Sequence, residues 1–153
     1  CLLTLLWQMR ETSTLPRYET YLTFPVHEEG GHGGATLPVV DELLAVDMGC
    51  IGLDLACTEY DVSICAKDSS GPYDYTLTST LIALAKQEQL PYAVDIYPMY
   101  SSDVSAALRG GNNIRGALIG PGVHASHGME RTHIEALDAT VSLILAYLRT
   151  LCA

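Results

Sequence analysis

The sequence is poor in basic residues. Eight Lys and Arg residues stand against 18 Asp and Glu residues, which gives a formal net charge of −10. Because binding to nucleic-acid phosphates needs clustered Lys and Arg, we expect no nucleic-acid partner. An acidic balance is compatible with attraction of cations, including metal ions and the amino groups of peptides.

Long apolar runs and paired cysteines are also missing. No apolar stretch reaches the length of a membrane span and none resembles a signal peptide, so the expected location is the cytoplasm, with no membrane partner. Five cysteines are present and none forms a CxxC pair: Cys1, Cys50, Cys57, Cys65 and Cys152. This pattern predicts reduced, buried thiols. Neither Cys57 nor Cys65 has the polarising context that a cysteine nucleophile requires.

The remaining composition is that of one globular domain. Hydrophobic residues make up 48% of the 153 positions, which is enough to build a sizeable core. Helix-like and strand-like segments alternate along the chain, and several strands are too apolar to face water on either side. This pattern predicts an α/β fold with three αβα layers, in which helices cover both faces of a mostly parallel or mixed sheet.

The spacing of apolar residues and the positions of proline and glycine predict the individual helices and strands. Apolar residues at helical spacing begin at Leu2, so we interpret the chain as a fragment whose first helix starts upstream. The remaining predicted segments are a strand over 21–26, a buried strand over 42–49, strands over 60–67, 92–97 and 114–119, helices over 75–89 and 103–108, and a closing helix over 134–151. Gly120-Pro-Gly122 follows the strand predicted over 114–119.

Residues with catalytic potential follow three of these predicted strands. Glu28 and Glu29 precede a glycine-rich turn, Asp47 ends an apolar run, and His124 and His127 follow Gly120-Pro-Gly122. In an open α/β sheet, ligands bind beyond the carboxyl ends of the strands. Imidazole together with carboxylates is a donor set that suits zinc or cobalt. Each group also has a simpler interpretation, as solvated glutamates, a hydrogen-bonded structural aspartate and surface histidines.

Four motifs together resemble a known family. They occur in the order Glu28-Glu-Gly-Gly-His-Gly-Gly-Ala35, Ala45-Val-Asp-Met-Gly49, Ser101-Ser-Asp-Val-Ser-Ala-Ala107 and Ala125-Ser-His-Gly-Met-Glu-Arg-Thr-His133. This arrangement is similar to that of the tetrahedral aminopeptidases, a group of dinuclear metallo-exopeptidases that includes glutamyl and deblocking aminopeptidases. The resemblance covers essentially the whole chain and implies a zinc-exopeptidase-like fold, peptide substrates and a homo-oligomeric intact protein.

The resemblance also implies roles for individual residues. Glu28 corresponds to the general base, Glu29 and His127 to ligands of one metal ion, and Asp47 to a ligand of the other. Asp103 matches an aspartate that organises the site, although Ser101 and Ser102 replace the family's glycine and threonine there. His124 matches no ligand and is expected to support the site or the substrate indirectly. The implied cofactors are two divalent ions, zinc first, with cobalt or manganese as alternatives.

Two metal ligands of the family have no counterpart in the sequence. The resemblance places both before the double glutamate, so we expect residues 1–153 to be the C-terminal part of the catalytic domain, without the N-terminal ligand segment and without the inserted oligomerisation domain. The isolated chain is then expected to be inactive. Two alternatives stay open, namely a catalytically inactive relative and a related zinc deacylase or carboxypeptidase.

Overall fold

The computed structural model describes residues 1–151, and Cys152 therefore lies outside the described part. The helices are α1 (Leu2–Thr12), α2 (Tyr75–Gln87), α3 (Asp103–Arg109) and α4 (Ile134–Thr150), and a 3-10 turn spans Gly33–Thr36. The strands are β1 (Glu42–Val46), β2 (Gly49–Cys50), β3 (Val62–Asp68), β4 (Gly71–Pro72), β5 (Tyr92–Tyr97) and β6 (Arg115–Val123). None of the described helices combines the length and the apolarity needed to cross a membrane.

The six strands form one mixed sheet. β1 and β2 pair in parallel with β6, β6 pairs antiparallel with β3, and β3 pairs in parallel with β5. The short strand β4 closes an antiparallel hairpin with the end of β3. β1 therefore lies at one edge of the sheet and β5 at the other, with β6 and β3 in the centre.

Helices cover both faces of the sheet. On one face α2 and α4 pack against β3 and β6, and α1 packs against α4; Leu5, Leu81 and Leu143 are almost completely buried there. On the other face Val104 of α3 packs with Leu118 and Tyr97. The predicted three-layer α/β fold with a mixed sheet is thus confirmed, since strands this apolar need cover on both sides.

One sequence prediction about a segment was wrong. Residues 21–26 form no strand, because no described backbone group pairs with them, and Pro25 removes one of the donors that a ladder would need. The strand predicted over 114–119 continues through Gly120-Pro-Gly122 as part of β6. The strand stays extended here because Gly122 has no side chain. A Cβ added to Gly122 would lie 2.0 Å from the carbonyl oxygen of Thr58. Most other boundaries moved by one or two residues.

The cysteines that were predicted to be buried divide into two groups. Cys57 and Cys65 are 2% and 1% exposed, whereas Cys1 and Cys50 are only half-buried. Burial raises the pKa of Cys57 and of Cys65 to about 12. Both thiols are therefore protonated at neutral pH, which supports the prediction that neither acts as a nucleophile.

Candidate active site

Glu28 lies in a tight turn that follows the irregular segment 18–26. The carbonyl of His27 accepts hydrogen bonds from Gly30 at 3.2 Å and from His32 at 3.1 Å, and Gly31 donates to the carbonyl of Glu28 at 2.7 Å. Gly31 adopts a positive φ of 70°, which glycine tolerates without strain. The glycine-rich sequence thus folds the chain back immediately after the double glutamate.

The 3-10 turn that follows packs closely on the first turn of α3. A Cβ added to Gly34 would lie 2.0 Å from the carbonyl oxygen of Asp103, so no larger residue fits there. This close approach holds Asp103 beside the loop that carries Glu28. The glycines of the motif are therefore needed for packing as well as for the turn.

Asp47 lies directly after β1, at its carboxyl end. Its N–H continues the ladder to the Ile119 carbonyl at 3.0 Å, and its Oδ1 accepts a hydrogen bond from the Met48 N–H at 2.7 Å. Gly120 permits this geometry, because a Cβ there would lie 1.4 Å from the Asp47 carbonyl oxygen. Asp47 is thus fixed by the neighbouring strand, as the position at a strand end predicts.

Asp103 opens α3 and points one carboxylate oxygen into the protein. Its Oδ1 is buried and has no hydrogen-bond partner among the described residues. Burial raises the pKa of Asp103, the Gly34 backbone hydrogen bond opposes this shift, and Asp47 adds to it. A buried carboxylate oxygen without a donor is unfavourable, so a cation or a proton donor would stabilise this arrangement.

Glu28 interacts electrostatically with all the other candidate acids. Burial raises the pKa of Glu28, and the negative charges of Asp47, Asp103 and Glu29 raise it further. His127 acts in the opposite direction. The five predicted residues are therefore brought to one end of the sheet, and a carboxylate whose pKa is raised by its neighbours is a typical general base.

Glu29 and His127 form a pair at the rim of this group. His127 Nδ1 lies 3.5 Å from Glu29 Oε2, and both side chains are largely exposed. His127 has a φ of 60°, which is uncommon for a residue with a Cβ, and its N–H donates to Glu130 Oε1 at 3.0 Å. A backbone held in this region is a frequent feature of functional loops, and here it aims the imidazole at Glu29.

His124 lies away from this pair. Its Nε2 is 3.6 Å from Glu59 Oε2, and its backbone bridges to Arg131. A backbone hydrogen bond lowers the pKa of Glu59, and His124 lowers it further by a smaller amount. The contacts of His124 are thus with the loop before β3, and its indirect role at the site stays a prediction.

The described residues do not complete a metal site by themselves. No group of three His, Cys, Asp or Glu side chains within residues 1–151 is close enough to hold one ion. The donor types fit zinc, and Glu29 with His127 supplies two of the usual three or four protein ligands. The fit of the described residues to a metal ion is therefore partial.

Sequence reasoning missed a buried network behind the site, centred on Asp68. This side chain is 2% exposed. Its oxygens accept hydrogen bonds from Tyr73 Oη at 2.7 Å, Ser105 Oγ at 2.9 Å and the Ser70 N–H at 2.7 Å. Tyr73 also contacts Ser102 Oγ at 2.8 Å. The network ties the end of β3 to the first turn of α3, from which Asp103 projects.

Tyr100 is a second residue that the sequence did not reveal. Its hydroxyl is buried with no partner in normal hydrogen-bond geometry among the described residues. Burial raises the pKa of Tyr100 strongly, and Asp47 adds to this shift, so the two side chains lie close together. The Tyr100 carbonyl accepts from the N–H and Oγ of Ser69 at 2.9 and 2.6 Å. In the sequence, only the frequent tyrosines shortly before Asp103 could have indicated that Tyr100 belongs to the site.

Comparison with known proteins identifies the family. Residues 1–143 match the M42 glutamyl aminopeptidase family, and the chain belongs to it. The Bacillus subtilis (strain 168) protein YhfE, whose name describes it as a candidate aminopeptidase, is 47% identical over 135 residues. The match covers 87% of this chain but only 39% of YhfE, so the chain spans well under half the length of this curated relative.

Solved structures confirm the fold. A TET aminopeptidase from Thaumarchaeota archaeon SCGC AB-539-E09 superposes with a TM-score of 0.80 at 17% identity, over 99% of this chain and 46% of that chain. The TET1 peptidase of Pyrococcus horikoshii gives a TM-score of 0.66 at 19% identity, over 78% of this chain and 37% of that chain. The family resemblance seen in the four sequence motifs is confirmed by the match to the M42 family over residues 1–143.

Proposed function

We propose that this chain forms part of a metal-dependent aminopeptidase, which hydrolyses N-terminal residues from peptides with Glu28 as general base. The observation that carries this proposal is the cluster at the end of the sheet, where Glu28 interacts with Asp47, Asp103, Glu29 and His127. Family membership supports peptidase chemistry, and the sequence match to YhfE supports an aminopeptidase.

Glu28 is suited to accept and deliver a proton. Burial and three neighbouring carboxylates raise its pKa towards the operating pH, so the carboxylate can take a proton from water and return it to the leaving amine. The negative field of the cluster also favours a cationic group nearby. In a peptide that group is the free amino terminus, which fits an enzyme that acts at chain ends.

Two divalent ions complete the proposal. Glu29 and His127 would hold one ion and Asp47 the other, with zinc, cobalt and manganese all compatible with these donors. When bound, the ions would lower the pKa of water and polarise the scissile carbonyl. Since no three described donors converge, the remaining ligands would come from a part of the protein outside residues 1–151.

Assembly and location belong to the same proposal. The P. horikoshii TET1 peptidase can assemble into a tetrahedron or a large octahedral shell. We infer by analogy that the whole protein is a homo-oligomer that acts on peptides in the cytoplasm. The negative formal charge of −10 supports neither nucleic-acid nor membrane binding.

The test compares Glu28→Gln with Glu88→Gln in a protein that contains this chain and the additional part found in YhfE. Glu88 caps the C-terminus of α2 and serves as the matched control. Hydrolysis of leucine- and glutamate-p-nitroanilide should fall at least about 100-fold in Glu28→Gln, while zinc content stays unchanged. Glu88→Gln should keep full activity.

Two other outcomes would contradict the proposal. A protein that contains zinc but has no aminopeptidase activity could still hydrolyse other substrates. Hydrolysis of an N-acyl amino acid would favour a deacylase, and release of a C-terminal residue would favour a carboxypeptidase. A protein that binds no metal and has no hydrolase activity would favour an inactive relative that acts as a binding subunit.

A further inference from the structure

The loop that carries His127, residues 124–131, is closed at its base. His124 and Arg131 form an antiparallel bridge, in which each backbone N–H donates to the carbonyl of the other residue, at 2.9 and 3.2 Å. Inside the loop, Ala125 and His127 have φ values of 58° and 60°, which are unfavourable for residues with a Cβ. Such a backbone persists only where the surrounding structure enforces it, so contacts outside the loop must hold its two ends.

One short turn, residues 58–61, contacts the chain on both sides of this loop. The Asp61 carbonyl accepts a hydrogen bond from the Gly122 N–H at 3.0 Å, and Gly122 lies just before the loop. The Glu59 carbonyl accepts a hydrogen bond from the His133 N–H at 3.2 Å, and His133 lies just after the loop. The turn therefore holds both ends of the loop through backbone hydrogen bonds.

Two pairs of side chains add to this attachment. His124 Nε2 lies 3.6 Å from Glu59 Oε2, and the ring centroids of Tyr60 and His133 are 4.7 Å apart. The ion pair is partly exposed, so it contributes little to stability by itself. The two backbone hydrogen bonds depend instead on the shape of the turn.

The Asp61 side chain holds the turn in this shape. Its Oδ2 accepts hydrogen bonds from the Thr58 N–H at 2.9 Å and from Thr58 Oγ1 at 2.6 Å. The Asp61 N–H in turn donates to the Thr58 carbonyl at 3.2 Å. Three hydrogen bonds between the same two residues close the turn, and they fix the direction of the carbonyls that bind the two ends of the loop.

The turn is also attached to the sheet. Asp95 on β5 accepts hydrogen bonds from the N–H groups of Ala56 and Cys57, each at 2.9 Å. Bonds of this kind, to an ionised carboxylate, are stronger than those between neutral groups. The turn is therefore connected to β5 on one side and to the base of the loop on the other.

We propose that the 58–61 turn positions His127 beside Glu29, and that Asp61 is the positioning residue that holds this turn. Asp61 acts through the turn and through the base of the loop, which presents the imidazole Nδ1 3.5 Å from Glu29 Oε2. The consequence for peptide hydrolysis rests on the proposed function, whereas the placement of His127 beside Glu29 does not.

Asp61→Ala tests this role in the full chain by amide hydrogen exchange, followed residue by residue with NMR. The substitution removes the acceptor of both Thr58 donors, so the turn should loosen and release the base of the loop. Exchange should become at least about tenfold faster at the amides of residues 124, 131 and 133.

The same spectra report on the imidazole. Nuclear Overhauser contacts between the His127 ring and the Glu29 side chain should disappear in Asp61→Ala. Asp61→Asn retains one acceptor oxygen for Thr58 and should restore both the slow exchange and the contacts. Rescue by this variant would separate the role of the hydrogen bonds from that of the negative charge.

Asp54→Ala is the matched control, because Asp54 is exposed in the segment that precedes the turn. In this variant the loop amides should exchange as they do in the unsubstituted chain. The amides of residues 64 and 118, which are buried in the centre of the sheet, report on global stability. The effect on the loop counts only where it exceeds the change at these two positions.

Peptidase activity supplies the functional measurement, in a protein that contains this chain and the additional part found in YhfE. Hydrolysis of leucine-p-nitroanilide should fall at least about tenfold in Asp61→Ala, because a small displacement of a group in an active site has a large effect on rate. Asp61→Asn and Asp54→Ala should keep most of the activity.

The outcomes separate this inference from the proposed function. Loop amides that stay protected in Asp61→Ala, or an acceleration shared equally by residues 64 and 118, would overturn the positioning role. Full activity of Asp61→Ala would overturn it as well. A longer protein without peptidase activity before any substitution would refute the proposed function, and the exchange rates and the His127–Glu29 contacts would then decide the positioning role alone.

Discussion

At the scale of single residues, the site depends on side chains that carry no recognisable motif. Asp68 is the clearest example, because an aspartate in an exposed-looking Asp-Ser-Ser-Gly sequence proves to be buried and accepts three hydrogen bonds. Hydroxyl and amide donors stabilise its carboxylate, and among residues 1–151 no ion pair with a basic residue is found. Its contribution is to hold α3, and hence Asp103, against the end of β3.

Asp68→Ala should destabilise the protein. The substitution leaves Tyr73 Oη, Ser105 Oγ and the Ser70 N–H without their acceptor, which should lower the free energy of unfolding by about 2–4 kcal/mol. Urea unfolding monitored by circular dichroism measures this loss. Asp54→Ala is the control, because Asp54 is exposed, and a shift of less than about 0.5 kcal/mol is expected there. Equal effects in the two variants would show that the network is not stabilising.

At the scale of elements, the close approach of β6 to the chain after β1 positions Asp47. Gly120 lies so near the Asp47 carbonyl that a Cβ there would come within 1.4 Å of the oxygen. Gly116 has a similar function further along β6, where a Cβ would lie 2.1 Å from Val104. Glycines in β6 thus bring both the strand end and α3 closer to the sheet.

Gly120→Ala should displace Asp47 and destabilise the sheet. A backbone carbonyl cannot move aside as a flexible side chain can, so the expected loss is about 3 kcal/mol or more. Gly52→Ala provides the control, since an added Cβ there would meet only the Leu55 side chain at 3.6 Å or more. Thermal unfolding of both variants measures the difference. A Gly120→Ala protein as stable as Gly52→Ala would contradict the described packing.

At the scale of the whole molecule, the proposed metal site would be incomplete with the described residues alone. His127 lies beside the acidic cluster and faces one carboxylate, that of Glu29. Glu28, Asp47 and Asp103 line one cavity at the carboxyl end of β1. The proposed metal ions would therefore need additional donors besides these carboxylates and His127.

The isolated chain should therefore bind zinc weakly and with a stoichiometry of at most one. With two protein ligands, the dissociation constant should be micromolar or weaker, well short of a complete zinc site. Isothermal titration calorimetry measures both quantities. His127→Asn, which tolerates the positive φ at this position, should abolish binding, and His32→Asn should not. Tight binding of two zinc ions by the chain alone would contradict an incomplete site.

The sequence by itself determined the fold class, the family and the candidate residues Glu28, Glu29, Asp47, Asp103 and His127. These follow from periodicity and from short motifs, because apolar spacing and glycine-rich turns are local properties of the chain. The same local patterns wrongly predicted a strand over residues 21–26. A strand must pair with a neighbouring strand, and none of the described strands pairs with this segment.

Only the tertiary structure decided which residues meet. That Asp68 is buried, that Tyr100 lies beside Asp47, and that β1 lies at the edge of the sheet all depend on contacts between segments distant in sequence. Burial and pairing arise when β3, β6 and α3 pack together, and no single segment encodes them. Sequence motifs thus predict which residues belong to the site, while the tertiary structure decides which of these residues lie close together.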